Sequence, residues 1–166
     1  LVFFAAFTCG LLAGKREQRR IDEAEAFLAL FEYIKNQVGY FLTPTKLIYR
    51  GFENKVLSDV GFLDRLCSHE NDEIYFDAWG DAFRACEGEL HLSAEEKRTV
   101  LRFGECIGKS DEHMQLKSFD YYIGLLSSEL EKARSETAKN KKVYRTVGFA
   151  IGAMAISLRK TNPNSA

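Results

Sequence analysis

The chain has 166 residues, of which 46% are hydrophobic and 28% charged, with a formal net charge of -1. This length suits a single domain, and the hydrophobic content is too high for an intrinsically disordered chain. The balanced charge excludes the uniform basic field on which general nucleic-acid binding depends. Charge is uneven along the chain, because residues 15–20 sum to +3, residues 46–128 to -6 and residues 129–145 to +3.

The amino-terminal stretch, residues 1–14, is apolar and uncharged, and four basic residues follow it within 15–20. A bilayer crossing needs roughly 20 apolar residues, so this stretch is too short alone. The sequence opens without methionine, and we expect the stretch to be the trailing part of a longer, truncated membrane helix. The basic residues directly after it favour an uncleaved anchor over a cleaved export signal or a lipoprotein modified at Cys9.

A second apolar stretch lies near the carboxyl terminus, where residues 146–158 contain no charge. With its neighbours it reaches a length of roughly 24 Å, which is marginal for a crossing; a buried core helix is the alternative. Gly148 and Gly152 are four apart, a spacing that lets a second membrane helix approach closely. Basic residues precede this stretch as they follow the first one, so we expect the body between them to face the cytoplasm.

The body is predicted to consist of successive helices. Apolar residues recur every three or four positions over 20–42, which predicts a long amphipathic helix. Thr43 and Pro44 suit the start of a second helix, predicted to run through Leu57, and Gly61 precedes a short third one. A fourth helix is predicted to carry Trp79.

Two helix starts are marked by capping residues. Ser93 and Glu96 form a capping box at the start of a fifth helix. Ser110 or Asp111 caps a sixth helix. The residues predicted to form the buried stripe of that last helix are Met114, Phe119, Tyr122, Ile123, Leu126 and Leu130.

The resulting prediction is an all-α protein, an antiparallel helical bundle of about six helices with apolar membrane-associated segments at both termini. We divide it into a truncated membrane anchor with a basic collar over 1–19, a cytoplasmic helical bundle over 20–142, a membrane segment over 143–160 and a polar tail over 161–166.

Signatures of catalysis or of bound cofactors are missing from the sequence. The Gly108-Lys109-Ser110 stretch lacks the glycine spacing of a phosphate-binding loop. The three histidines, His69, His91 and His113, have no metal-ligand spacing, and we expect their side chains to be solvated. The predicted sets of catalytic residues, metal ligands and cofactors are therefore all empty.

An acidic cluster stands out in the middle of the chain. Its five carboxylates have no basic residue between them and could attract a basic partner surface, the alternative being a solvated helix edge. The cluster consists of Glu70, Asp72, Glu73, Asp77 and Asp81.

With the helices placed, the stretch from Phe103 to Gln115 resembles the hallmark of the stage III sporulation protein AB family. Three further segments fit the same family in the same order. They are Tyr33-Ile34-x-Asn36-Gln37 leading to Phe41-x-Thr43-Pro44, the turn Gly61-Phe62-Leu63, and the tail Val143-Tyr144 with Gly148 and Gly152.

The resemblance implies a non-enzymatic membrane protein of spore-forming bacteria, with a helical domain similar to the cytoplasmic domain of the type II secretion platform protein. Such a protein would sit in the mother-cell membrane facing the forespore. It would contact a cytoplasmic ATPase and other channel subunits, and neither nucleic acid nor a small-molecule substrate. The alternative is a peripheral helical adaptor without a spanning carboxyl-terminal helix.

The resemblance also carries motif residues over to this chain. We interpret them structurally: the glycines permit close helix packing, the serine and aspartate cap the last helix, and the glutamine hydrogen-bonds an adjacent turn. These motif residues are Pro44, Gly104, Gly108, Ser110, Asp111 and Gln115.

Overall fold

A computed structural model describes residues 2–41, 48–68, 75–108 and 111–160. Over these residues the chain forms α-helices and one turn of 3-10 helix, with no β-strand, so the all-α prediction is confirmed for the described part. The α-helices are α1 (Val2–Phe41), α2 (Lys55–Asp59), α3 (Phe62–Ser68), α4 (Tyr75–Cys86), α5 (Ala94–Glu105) and α6 (Glu112–Lys160), and the 3-10 turn spans Tyr49–Gly51.

Two compact units divide the chain, one over residues 1–131 and one over residues 132–166. The first holds α1 to α5 and the beginning of α6, and the second holds the remainder of α6.

The amphipathic pattern of α1 places its apolar residues in the core, as predicted. Ile21, Phe27, Phe31 and Ile34 are all buried. The helix continues without a break from the apolar stretch near its start to Phe41, a length of about 60 Å at 1.5 Å per residue.

The predicted second helix is wrong in its extent. The 3-10 turn ends at Gly51, and Phe52 then adopts an extended backbone. Asn54 starts a separate helix, because its side-chain oxygen accepts a hydrogen bond from the Leu57 amide at 3.1 Å. The apolar spacing suggested one helix across a segment that in fact contains a turn, an extended link and the short helix α2.

The remaining elements of the first unit pack mainly against the elements next to them in sequence. Helix α2 contacts α1 and α3, α3 contacts the 3-10 turn and α4, and α4 contacts α5, which returns to α1. Gly61 makes the sharp turn between α2 and α3 possible with a φ of 73°, a left-handed conformation that glycine adopts without strain.

The two terminal apolar stretches lie at the start of α1 and near the end of α6. Across residues 2–41, 48–68, 75–108 and 111–160, no helix carries an apolar stretch long enough to cross a membrane. Lys15 follows the first stretch, and Arg145 and Arg159 enclose the second.

Candidate interaction surface

The core of the first unit is organised around Trp79 on α4. Its side chain is fully buried, and its indole Nε1 donates a hydrogen bond to the Val100 carbonyl on α5 at 3.0 Å. The buried indole therefore has its single donor satisfied. Three phenylalanine rings from other helices lie against it, with centroid distances of 5.2 to 6.2 Å: Phe31, Phe62 and Phe103.

Gly104 belongs to this core. A Cβ atom built at Gly104 would overlap the five-membered ring of the Trp79 indole. Because that ring is fully buried and held by its hydrogen bond, it has no room to withdraw. Only glycine lets α5 approach α4 this closely, so the glycine fulfils a packing requirement.

Gly108 has a different role from the one predicted for it. It is exposed and lies in the turn after α5, where its φ is 75°. The amides of Cys106 and Ile107 donate to the Phe103 and Gly104 carbonyls at 3.0 and 3.2 Å, which closes the end of the helix. The requirement for glycine is the left-handed backbone conformation after the helix, and not the tight helix contact we expected.

The start of α6 carries the rest of the motif. Asp111 precedes the helix, and its Oδ1 accepts a hydrogen bond from the Met114 amide at 3.1 Å, as an N-cap does. Gln115 is buried, with 7% of its surface exposed. Ser110 and Pro44 lie outside the described residues. Asp111 and Gln115 thus lie at the base of α6, where Phe119 stacks on Phe103 at 4.7 Å.

A buried ion pair joins α1 to α5. Glu96 is fully buried, and Arg20 approaches it with Nε at 2.9 Å and Nη2 at 3.2 Å. The same carboxylate accepts from the Ser93 amide at 2.6 Å, and the Ser93 hydroxyl accepts from the Glu96 amide, so the predicted capping box is present. Arg20 is one of the four basic residues that follow the first apolar stretch, and in the structure its guanidinium is engaged in this pair.

A second buried carboxylate, that of Glu23 on α1, binds the segment before α5. Glu23 is 4% exposed, and its oxygens lie 2.6 Å from the His91 amide and 2.9 Å from His91 Nδ1. The expectation of a solvated side chain is therefore wrong for His91. His113 is exposed, and His69 lies outside the described residues.

The acidic cluster is described only in part. Asp81 on α4 is exposed and forms an ion pair with Arg84, one turn further along the helix. No basic residue lies between the members of the cluster, but Arg84 follows the last of them in sequence and pairs with it. Asp77 lies on α4, but its side chain is outside the described part, as are residues 69–74 with the other three carboxylates.

Three large apolar side chains of α6 are exposed in the first unit: Met114, Tyr121 and Leu125, with 52%, 63% and 38% of their surfaces accessible. They are spaced seven and four residues apart, so they lie along one face. Met114 was predicted to be buried, and this is wrong, whereas Phe119, Leu126 and Leu130 are buried. Assigning the apolar residues of α6 to two rows, one of them exposed, would have revealed this face.

The remaining titratable and small residues of the described part add no metal cluster to this picture. Over those residues no group of three or more His, Cys, Asp or Glu side chains is arranged to hold a metal ion. Burial raises the pKa of the Cys86 thiol to about 11, so the thiol is protonated at neutral pH. Gly148 and Gly152 lie within α6, and their packing is outside the described part.

Comparison with known proteins identifies the family of this chain. The profile described as stage III sporulation protein AB matches residues 1–158, nearly the whole chain. The chain belongs to the stage III sporulation protein AB family. The resemblance seen in the motif from Phe103 to Gln115 is thereby confirmed.

Two members of the family are similar to this chain in different ways. Stage III sporulation protein AB of Bacillus subtilis (strain 168) is 28% identical over 81 residues, which cover 49% of this chain and 47% of that protein. The aligned part thus spans about half the length of the curated relative. A solved structure of stage III sporulation protein AB (SpoIIIAB) has a TM-score of 0.59, with 20% identity, over 72% of this chain and 97% of the other. At that identity the likeness concerns the fold.

Proposed function

We propose that this chain is a non-enzymatic scaffold of a secretion-like channel complex that is assembled during endospore formation. The observation that supports this most is the family match over residues 1–158. Placement of the motif adds to it, because Gly104, Gly108 and Asp111 are engaged in packing, turning and capping. Because these motif residues support the fold, we assign the function to surfaces that contact other proteins.

The proposed location is the mother-cell membrane facing the forespore, with the helical body on the cytoplasmic side. The support is the pattern of charge, because basic residues adjoin both apolar stretches. Arg20 is engaged by Glu96, so Lys15, Arg16 and Arg19 would supply the first collar. Residues 139–145 would supply the second.

Extraction of membranes with carbonate tests this location. A scaffold anchored by a spanning helix stays in the pellet, whereas the peripheral adaptor is released into the wash. Protease added outside intact protoplasts should leave the body uncut. Digestion of the body would contradict the proposed orientation.

The proposed partners are a cytoplasmic ATPase and other membrane subunits of the channel. The acidic cluster is the proposed contact, because residues 46–128 carry a net charge of -6 and clustered carboxylates attract basic surfaces. Asp81 is already paired with Arg84, so Glu70, Asp72 and Glu73 are the carboxylates to test.

Changing Glu70, Asp72 and Glu73 together to lysine should abolish co-purification of the ATPase from sporulating cells. A matched control changes the exposed residues Glu87, Glu89 and Glu95 to lysine, with the same shift in net charge. The control should retain the ATPase. Photoreactive residues at Asp72 and Asp77 should crosslink to it directly. Equal recovery from both variants would contradict the assigned contact.

A further inference from the structure

The exposed face of α6 in the first unit is formed by Met114, Tyr121 and Leu125. The same helix packs its other side, with Phe119 and Leu126, into the core. Apolar side chains therefore lie on two sides of one helix, although a helix at the surface of a single copy needs them on one side only. An apolar face turned to solvent indicates a contact with another protein.

The face has the spacing that a second helix requires. Its residues are seven and four apart, as the a and d positions of a coiled coil are. Ser118 lies between them, and its hydroxyl donates to the Met114 carbonyl at 3.0 Å, so it brings no unsatisfied group into a contact. Beside the face, a Cβ atom built at Gly124 would meet nothing within 4 Å. The backbone of another helix can approach closely at this point.

Two opposite charges flank the face at equal distances from Gly124. Lys117 lies seven residues before it and Glu131 seven residues after it. Both side chains are exposed, and neither forms an ion pair with a residue of the described part. In two antiparallel copies of α6 that cross at Gly124, Lys117 of each copy lies beside Glu131 of the other. A parallel pair in register would separate these two residues by about 21 Å along the helix.

We propose that two copies of this chain associate through the exposed face of α6, antiparallel and with Gly124 near the two-fold axis. Each copy then offers the same surface to the other, and Tyr121 of one packs against Leu125 of the other. A second copy fits this face because the charges at its two ends are opposite, so they complement each other when the face meets itself. The face is short, so we expect a dissociation constant of about 10 μM, as for a small transient interface. Self-association goes beyond the proposed scaffold role and does not depend on it.

Exchange of the two charges tests this pairing. Sedimentation equilibrium of the full chain in a density-matched detergent should show a monomer in equilibrium with a dimer. Lys117→Glu should raise the dissociation constant about tenfold, because it places like charges together at two symmetry-related sites. Glu131→Lys should have the same effect. The double variant Lys117→Glu, Glu131→Lys should associate within about twofold of the unchanged chain, because the exchanged charges match again.

Replacement of the apolar residues tests the other half of the contact. The variant Tyr121→Ser, Leu125→Ser should raise the dissociation constant by about a hundredfold or more, because both side chains are central to the pairing. The matched control is Arg98→Glu, which makes the same change of charge as Lys117→Glu at an exposed position of α5. It should associate like the unchanged chain, and thermal melting should show that every variant is folded.

Three results would overturn the proposal. The first is an unchanged chain that stays monomeric at every concentration. The second is association that survives the two serine substitutions, which would place the contact elsewhere on the chain. The third is a double charge variant that associates as weakly as the two single ones.

Discussion

Gly104 is the position where one added methyl group has the largest predicted effect. Gly104→Ala should destabilise the protein by about 2 kcal/mol or more, because overlap with the fixed Trp79 ring outweighs the better helix propensity of alanine. Gly124→Ala is the matched control, since a Cβ there meets nothing within 4 Å. That variant should melt at an equal or higher temperature. Equal melting of the two variants would contradict this account of the motif.

Gly108 should respond to substitution through its backbone. Gly108→Ala should cost about 1 kcal/mol, because alanine disfavours a φ of 75°. Gly108→Asn should cost less, since asparagine tolerates the left-handed region. Denaturant unfolding of the three proteins measures the order. An asparagine variant less stable than the alanine variant would show that space and not backbone conformation limits this site.

These two glycines show what the sequence can and cannot reveal at the residue scale. Both were predicted to allow close helix packing, which holds for Gly104 and fails for Gly108. Spacing along a helix locates a residue on a face, but φ is decided by where the helix ends. His91 is similar, because the buried carboxylate that binds it lies 68 residues away in sequence.

The buried ion pair between Arg20 of α1 and Glu96 of α5 is the feature to test at the scale of elements. Arg20→Met should destabilise the protein by about 3 kcal/mol, because it leaves the fully buried Glu96 carboxylate without its ionic partner. Arg98→Met is the control, since its pair with Glu95 is exposed and should contribute less than about 1 kcal/mol. Urea unfolding measures both.

Combining Arg20→Met with Glu96→Leu checks the mechanism of that loss. The double variant should be more stable than Arg20→Met alone, because no charge is left buried. If the free energy of unfolding of the double variant instead falls by the sum of the losses measured for Arg20→Met and Glu96→Leu alone, the ion pair does not couple the helices.

Elements with strong local signals were the ones the sequence predicted well. The capping box at Ser93 and Glu96 and the periodic apolar residues of α1 fixed their helices, because both signals act within a few residues. The break at Phe52 to Asn54 was not predicted, since its apolar neighbours keep a helical spacing. There the hydrogen bond from Leu57 to Asn54 competes with continuation of the helix.

At the scale of the whole molecule, the family match over residues 1–158 is what identifies this chain. The residues of the motif support the fold, whereas which apolar row of α6 is exposed depends on how that helix packs in the first unit. Packing of this kind is not fixed by the spacing of apolar residues along the helix. The sequence therefore predicted the family and the helices better than the surfaces.

We propose that this protein acts in spore formation through contacts with other proteins and not through turnover. Counting heat-resistant spores of the host after deletion of the gene tests it most directly. We expect the count to fall by orders of magnitude and to be restored by the full chain. A folded variant without residues 146–166 should not restore it. Normal spore counts in the deletion strain would contradict the account.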